Sequence, residues 1–222
     1  MCATLASAQT NPPQRKPASS PAAEIILPAL LAVDKPGTLA VLDAQGQLVS
    51  GVSVDLSTGR RVTTDETGRA RFVVTSEPGP FLASITGTEV RASSVVVAQT
   101  DLPASQILIV ACPRAVTRSD HFTVNGSNFR GDADDNHVTL GGQPALVVAS
   151  SPLSLELWLS PQTPLGSGSL RIEISKGGGV ATSVDVVSLR IERREHGAAA
   201  VALRPGKTQQ LVVHVEGTQN QT

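Results

Sequence analysis

Aromatic side chains are scarce. The 222-residue chain holds four Phe, one Trp and no Tyr, and Val, Leu, Ile, Thr, Ser and Gly dominate in their place. Hydrophobic residues still make up 40% of the chain, enough for real cores, which excludes global disorder. Charge of one sign is missing too. A formal net charge of -1 leaves no basic face of the kind that nucleic acid or an anionic membrane surface requires, so neither is expected as a partner. Cysteine occurs only at Cys2 and Cys112, which cannot make a disulfide framework. No run is long and apolar enough to cross a bilayer, so direct membrane insertion is not expected.

What remains is rich in β-branched residues, which suit a pleated sheet, and in Gly and Pro, which supply turns. The expectation is an all-β chain. Its start, "MCATLASAQT", carries Ala6-Ser7-Ala8, a small-x-small cleavage pattern, without a full apolar run or a basic leader before it. It reads as the remnant of a secretory signal. Residues 9 to 23, "QTNPPQRKPASSPAA", read as an extended, solvated tail. In "EIILPALLAVDKPG", Pro28 and Pro36 discourage a helix and leave a lead-in strand.

From 37 to about 100 the apolar period is near two. Val52, Val54 and Leu56 share one side of a strand, as do Ala70, Phe72 and Val74, and then Phe81, Ala83 and Ile85. The turn signals "DAQG", "STGR", "DETG" and "EPGP" separate these runs, and short strands at such spacing predict a sandwich. The phrases "VLDAQGQLVSGVSVDL", "TTDETGRARFVV" and "GPFLASI" resemble the bacterial immunoglobulin-like repeats of invasin- and intimin-type surface proteins. They also resemble the transthyretin-like fold of carboxypeptidase regulatory domains. Either resemblance implies a β-sandwich over 24–104.

A second unit follows at about 105–189. "ILIVACP" reads as a buried first strand, with Cys112 a buried, inert thiol. "HFTVNGSNF" turns Phe122 and Val124 inward, with Gly126 in a turn. "HVTLGGQPALVVAS" is a hairpin through Gly141-Gly142. "LSLELWL" turns Leu153, Leu155, Leu157 and Leu159 inward, and "SLRIEIS" pairs with "VATSVDVVSL". The order "F-T-V-x-G-x-N-F", "L-G-G-x-P-A" and "P-x-G-S-G-S-L-R-I" resembles the IPT/TIG family. That family comprises immunoglobulin-like domains of bacterial surface proteins, plexin-type receptors and some transcription factors. Beyond it, "RIERREHG" reads as a charged connector. "LRPGKTQQLVVHVEGTQN" is similar to the opening strands of a further bacterial immunoglobulin-like repeat. The full expectation is tandem immunoglobulin-like β-sandwiches, with an incomplete third β unit over 190–222.

Few side chains suggest chemistry. Asp132, Asp134 and Asn136 occupy the first, third and fifth places of a would-be calcium loop, but the sixth and twelfth hold His137 and Gln143 where Gly and Glu are required. No metal is expected, and the acids read as solvating a loop between strands. His121, His137, His196 and His214 are not spaced as zinc ligands. No G-x-S-x-G elbow is present, and "GSGSL" lacks the Lys and helix of a phosphate loop. Neither catalytic residues nor a cofactor is expected. The sequons "NGS" at 125–127 and "NQT" at 220–222 read as coincidence.

One strand leaves an open question. With the leucines of "LSLELWL" inward, Ser154, Glu156 and Trp158 point outward. A planar ring beside a carboxylate, here Trp158 with Glu156, could stack a sugar, anchor a protein partner or pack on a neighbouring domain. The functional expectation is a non-catalytic secreted, periplasmic or bacterial cell-surface protein. Its sandwiches would be strung as beads for adhesion, binding or spacing, with protein or glycan partners and neighbouring immunoglobulin-like domains of a longer chain. The alternative is an accessory segment of a larger secreted carbohydrate-active enzyme.

Overall fold

The computed structural model describes residues 21–98, 106–175, 177–193 and 211–217. The signal-like start, most of the proline-rich tail, the connector at 101–105 and the stretch from 194 to 210 lie outside the described residues. Among the described residues there is no α-helix, only a single 3-10 turn at Ala133–Asp135. No helix there is long and apolar enough to cross a membrane, which says nothing of β-barrels.

Eight strands build the first sandwich: β1 (Ala22–Ile26), β2 (Leu30–Ala32), β3 (Pro36–Asp43), β4 (Ser53–Leu56), β5 (Arg61–Thr63), β6 (Arg69–Val73), β7 (Gly79–Ile85) and β8 (Arg91–Val97). β1, β3 and β6 form one layer, and β2-β8-β7-β4-β5 the other. The lead-in is two strands, because Pro28 interrupts it. β1 pairs antiparallel with β3 up to Ile26, and the chain then crosses to run as β2 parallel to β8. The alternating residues close the core as their period demands, with Val54, Val74 and Phe81 fully buried and Phe72 stacked on Phe81 at 5.6 Å. The "DETG" turn is held by the Asp65 carboxylate, which accepts from the Thr67 N–H and hydroxyl, while Gly68 takes φ +76°.

The second sandwich comprises β9 (Leu108–Ala111), β10 (Ala115–Thr117), β11 (His121–Ser127), β12 (Asn136–Leu140), β13 (Gln143–Ser150), β14 (Ser154–Leu159), β15 (Gly166–Ile174) and β16 (Gly179–Arg193), followed by β17 (Leu211–Glu216). The path runs β10-β16-β15-β12-β13-β14-β11-β9. Phe122, Val124, Leu155, Leu157 and Leu159 meet Leu140, Leu170 and Ile172 in its core. The β12–β13 hairpin turns on Gly141 (φ +58°) and Gly142 (φ +81°), the paired positive φ that a two-residue hairpin turn requires.

Four sequence expectations need correction. β9 is not buried: it is an edge strand paired only with β11, and Val110 is 76% exposed because nothing covers its outer face. Cys112 is half-buried, packed at the rim of the core, and burial pushes its thiol up, away from a reactive thiolate. Gly126 lies within β11 at a bulge rather than in a turn. A Cβ there would stand 2.1 Å from the Leu108 carbonyl oxygen and 2.5 Å from the Phe129 ring, so the "G-x-N-F" phrase is a packing requirement. Finally, 190–193 continue β16 instead of forming a connector, because β17 pairs with them antiparallel.

The two sandwiches are not separate beads. β1 stops pairing at Ala40, which leaves the lower edge of β3 open, and Ser150 at the end of β13 takes that edge opposite Thr38. The layers thereby merge into one 12-stranded sheet. An unpaired sheet edge seeks a partner, and here the neighbouring sandwich supplies it.

Candidate functional site

The joint between the sandwiches organises Trp158, Glu156, Asp132 and Asp134. β13 carries a bulge between Val147 and Ala149. The extra residue breaks the alternation, so Val147 enters the core of the second sandwich while both Val148 and Ala149 are aimed out of it. Val148 and Ala149 meet Ile26, Ala40 and Leu42 of the first sandwich in a separate buried cluster, edged by Leu48 and Trp158. Burying an aliphatic side chain of this size contributes about 1.5–3 kcal/mol.

Polar groups lock the same surface. The Gly131 carbonyl accepts from the Thr38 hydroxyl at 2.7 Å and the Ser150 hydroxyl at 2.9 Å. The Ala29 N–H donates to the Ser154 hydroxyl at 3.2 Å, and the Ser151 hydroxyl donates to the Leu30 carbonyl. Gly131 itself lies against the first sandwich: a Cβ there would be 2.2 Å from the Pro36 carbonyl oxygen.

The acidic loop belongs to this joint. Asp134 Oδ1 is 2.6 Å from Arg69 Nη1, and Asp132 Oδ2 is 2.6 Å from Arg71 Nη2, both arginines standing on β6. The acids therefore do more than solvate a strand connection, because they dock one sandwich on the other. Asn136 is consumed within the loop: its amide donates to the carbonyls of Arg130 and Asp132, and its carbonyl accepts the Arg130 N–H. The three residues named by the calcium pattern thus face different partners. Among the described residues no group of three or more His, Cys, Asp or Glu could hold a metal ion. We predict that millimolar calcium leaves the melting temperature unchanged and gives no binding heat by calorimetry. Asp132→Asn should cost about 0–1 kcal/mol, as exposed ion pairs do.

Trp158 and Glu156 share the outer face of β14 but not its environment. Trp158 is half-buried at the rim of the joint, its ring 3.3 Å from where a Gly46 Cβ would be, closer than ordinary contact. Glu156 is not outward in the sense of open: it is 3% exposed, because the segment around Ala29 lies over it. Both of its carboxylate oxygens accept from the Thr123 hydroxyl, at 2.9 Å each. Burial pushes the carboxyl above its ordinary 4.5, and the Thr123 hydroxyl, the nearby His121 and the Ala29 N–H only partly oppose this. Period-two reading finds the direction of these side chains but has no signal for what covers them.

The remaining candidates stay apart. His121 lies beside Trp158 across the β11–β14 ladder, whereas His137 sits on β12 within 3.3 Å of the Ser175 hydroxyl. "GSGSL" is the start of β15, not a loop around phosphate. Asn125 of the first sequon is inside β11, its side-chain oxygen buried. His196, Cys2 and the second sequon lie outside the described residues.

Beyond Trp158 the β13–β14 face stays uncovered. Leu146, directly opposite Trp158 in the ladder, is 41% exposed. With Arg118, Pro144 and Pro161 it borders a hollow of about 550 Å³.

Residues 115–191 match the family model described as IPT/TIG domain, about a third of the chain, spanning β10 through most of β16. No curated protein sequence matches the chain. Among solved structures, the chain is similar to SGBP-B of the Bacteroides ovatus mixed-linkage glucan utilization locus, in complex with a mixed-linkage heptasaccharide. Identity there is 15% over 80% of this chain and 48% of that one, with a TM-score of 0.33. It is similar to the full extracellular region of plexin A4 at 12% identity over 74% of this chain and 25% of that one, with a TM-score of 0.33. The D0-D1 domain of intimin matches at 13% identity over 74% of this chain and 98% of that one, with a TM-score of 0.26. The chain thus spans about half the length of SGBP-B and a quarter of the plexin.

Proposed function

We propose that this chain is a non-catalytic secreted or cell-surface module. Its two sandwich domains, 24–104 of bacterial immunoglobulin-like type and 105–189 of IPT/TIG type, act as one rigid strut that spaces or presents a binding surface. The observation that carries this reading is the shared β3–β13 edge with the buried cluster beneath it. A flexible string of beads lets each domain sample many orientations, whereas a continuous sheet with a desolvated joint holds one. The IPT/TIG match over 115–191 supports a binding or spacing role over a catalytic one.

Distance measurement tests the strut. Spin labels at Arg60→Cys and Gln162→Cys, exposed positions on either sandwich, are placed in a chain whose two native cysteines are Ser. A single narrow distance distribution is expected. A broad one overturns the reading. Antibodies to the purified chain should bind intact source cells, and binding only after lysis would refute the location.

A further inference from the structure

We propose that the hollow beyond Trp158 docks an extended protein segment that sets an aliphatic side chain beside a carboxylate. The proposal deepens the reading of the chain as a rigid binding module, and it rests on that reading because the first sandwich backs Trp158, which lines the hollow. Gly46 lies against Trp158, and Trp158 in turn separates the joint from the hollow.

The outer face of β13 and β14 is one apolar surface with two halves. The half bearing Val148 and Ala149 is already covered by a protein surface, the Ile26, Ala40 and Leu42 face of the first sandwich. The other half continues it without a break. Leu146 opposes Trp158 in the ladder, two residues along β13 from Val148, and stands open to solvent. Pro144 and Pro161 extend the apolar rim. A contiguous apolar face with one end filled by protein and the other exposed is a protein-docking surface with its outer end vacant.

Charge narrows the occupant. Arg118 is the sole charged side chain bordering the hollow. Its Nη1 donates to the Pro161 carbonyl at 3.1 Å, which orients the guanidinium, while its Nε is closed off from solvent with no hydrogen-bond partner. An unpaired buried donor is costly, and the Nε and Nη2 edge is the fork that takes a carboxylate through two parallel bonds. Arg118 is half-exposed, and side chains of this kind change rotamer on fast timescales, so the fork can swing to meet a ligand. A carboxylate therefore answers an unmet donor, and an adjacent aliphatic side chain answers Leu146 and Trp158.

A sugar fits less well. Saccharide hydroxyls need several converging polar side chains, and here only Arg118 and Ser160 are polar. The Ser160 hydroxyl already accepts the Gln162 N–H at 3.2 Å, which leaves it its own proton and one lone pair.

Trp158 is the one Trp of the chain, so its fluorescence reports on the hollow and on the joint beside it. Random short peptides displayed on phage are selected on the immobilised full chain. The enriched peptides are then synthesised and titrated against Trp158 emission, with cello-oligosaccharides titrated in parallel. The expected result is an enriched pattern of Leu, Ile or Val next to Asp or Glu. Binding should shift Trp158 emission and weaken about ten-fold or more in both Arg118→Gln and Leu146→Ser. Leu146 has no side-chain hydrogen bond to lose, so its variant separates lost docking from a disturbed Pro161 loop. The proposal is overturned by an absence of binders, by an acid-free pattern, by binders indifferent to both substitutions, or by oligosaccharides shifting the emission where peptides do not. If the spin-label distance stays narrow while docking fails, only the docking surface is lost. A broad distance removes the strut as well.

Discussion

Replacing Gly131 with Val separates the two sandwiches, and one melting transition becomes two. Gly131 does not sit at a positive φ, so a side chain there is not strained by its own backbone. The obstacle is its neighbour. The added Cβ would stand 2.2 Å from the Pro36 carbonyl oxygen and 2.6 Å from the Pro36 carbonyl carbon, and neither can turn away as a side-chain tip would. Relief requires the strand β3 to retreat from the loop. Retreat breaks both hydrogen bonds accepted by the Gly131 carbonyl and the pairing of Ser150 with Thr38. It also draws Arg69 and Arg71 away from Asp134 and Asp132. The expected cost is about 3 kcal/mol, the upper range for overpacking, and it falls on the joint because the three atoms nearest the added Cβ all belong to Pro36 of the first sandwich. Calorimetry should show two transitions. Trp158 emission should move to longer wavelength as Gly46 leaves its ring. A single transition at the parent temperature would mean that the joint is not where stability is shared.

Glu156→Gln should stabilise the protein at neutral pH and leave it unchanged in acid. The buried Glu156 carboxyl titrates above its ordinary 4.5, with burial as the main cause. A carboxyl whose value is raised on folding favours the folded state fully only while it is protonated in both states, below the ordinary value. That contribution is lost as pH rises through the raised, folded value, because the carboxylate must then be kept ionised under the first sandwich. Its two oxygens have one hydroxyl proton between them, from Thr123. A glutamine accepts that hydroxyl proton on its oxygen and donates to the same hydroxyl from its amide, so it imitates the protonated acid at every pH. The gain expected at neutral pH is about 1–3 kcal/mol, the size of an unrelieved buried polar group. Melting of the parent should fall from about pH 4 towards pH 8 relative to the variant, and the two curves should meet at the acid end. His121 also faces this site and partly opposes the effect of burial on Glu156. Parallel curves across the whole range would show that folding does not shift the Glu156 carboxyl at all.

Both effects arise where sequence reading had least to work with. Alternation put Leu155, Leu157 and Leu159 in the core, because a strand packed on one face repeats every second residue. The same alternation put Ser154, Glu156 and Trp158 on the opposite face, and there it ended: a Glu between two leucines looks alike whether water or another domain lies over it. The acidic loop is similar. Asp134 lies 65 residues from Arg69 along the chain, and nothing local to "DADDN" announces that partner. β9 misled for the opposite reason. "ILIV" is apolar enough for a central strand, but its place at the sheet edge depends on which strands lie beyond it.

By itself the sequence determined an all-β chain of two sandwiches, their inward residues, their glycine turns and the IPT/TIG resemblance of the second. These follow from local rules, since pleat period, turn geometry and side-chain size act over a few residues. Only the tertiary structure decided that Pro28 frees an edge of β3, that β13 fills it, and that Glu156, Gly131 and the acidic loop belong to a joint. Those outcomes depend on contacts between residues up to 125 apart, such as Ala29 with Ser154. Burial and pairing at that range are properties of the closed surface rather than of any stretch of chain.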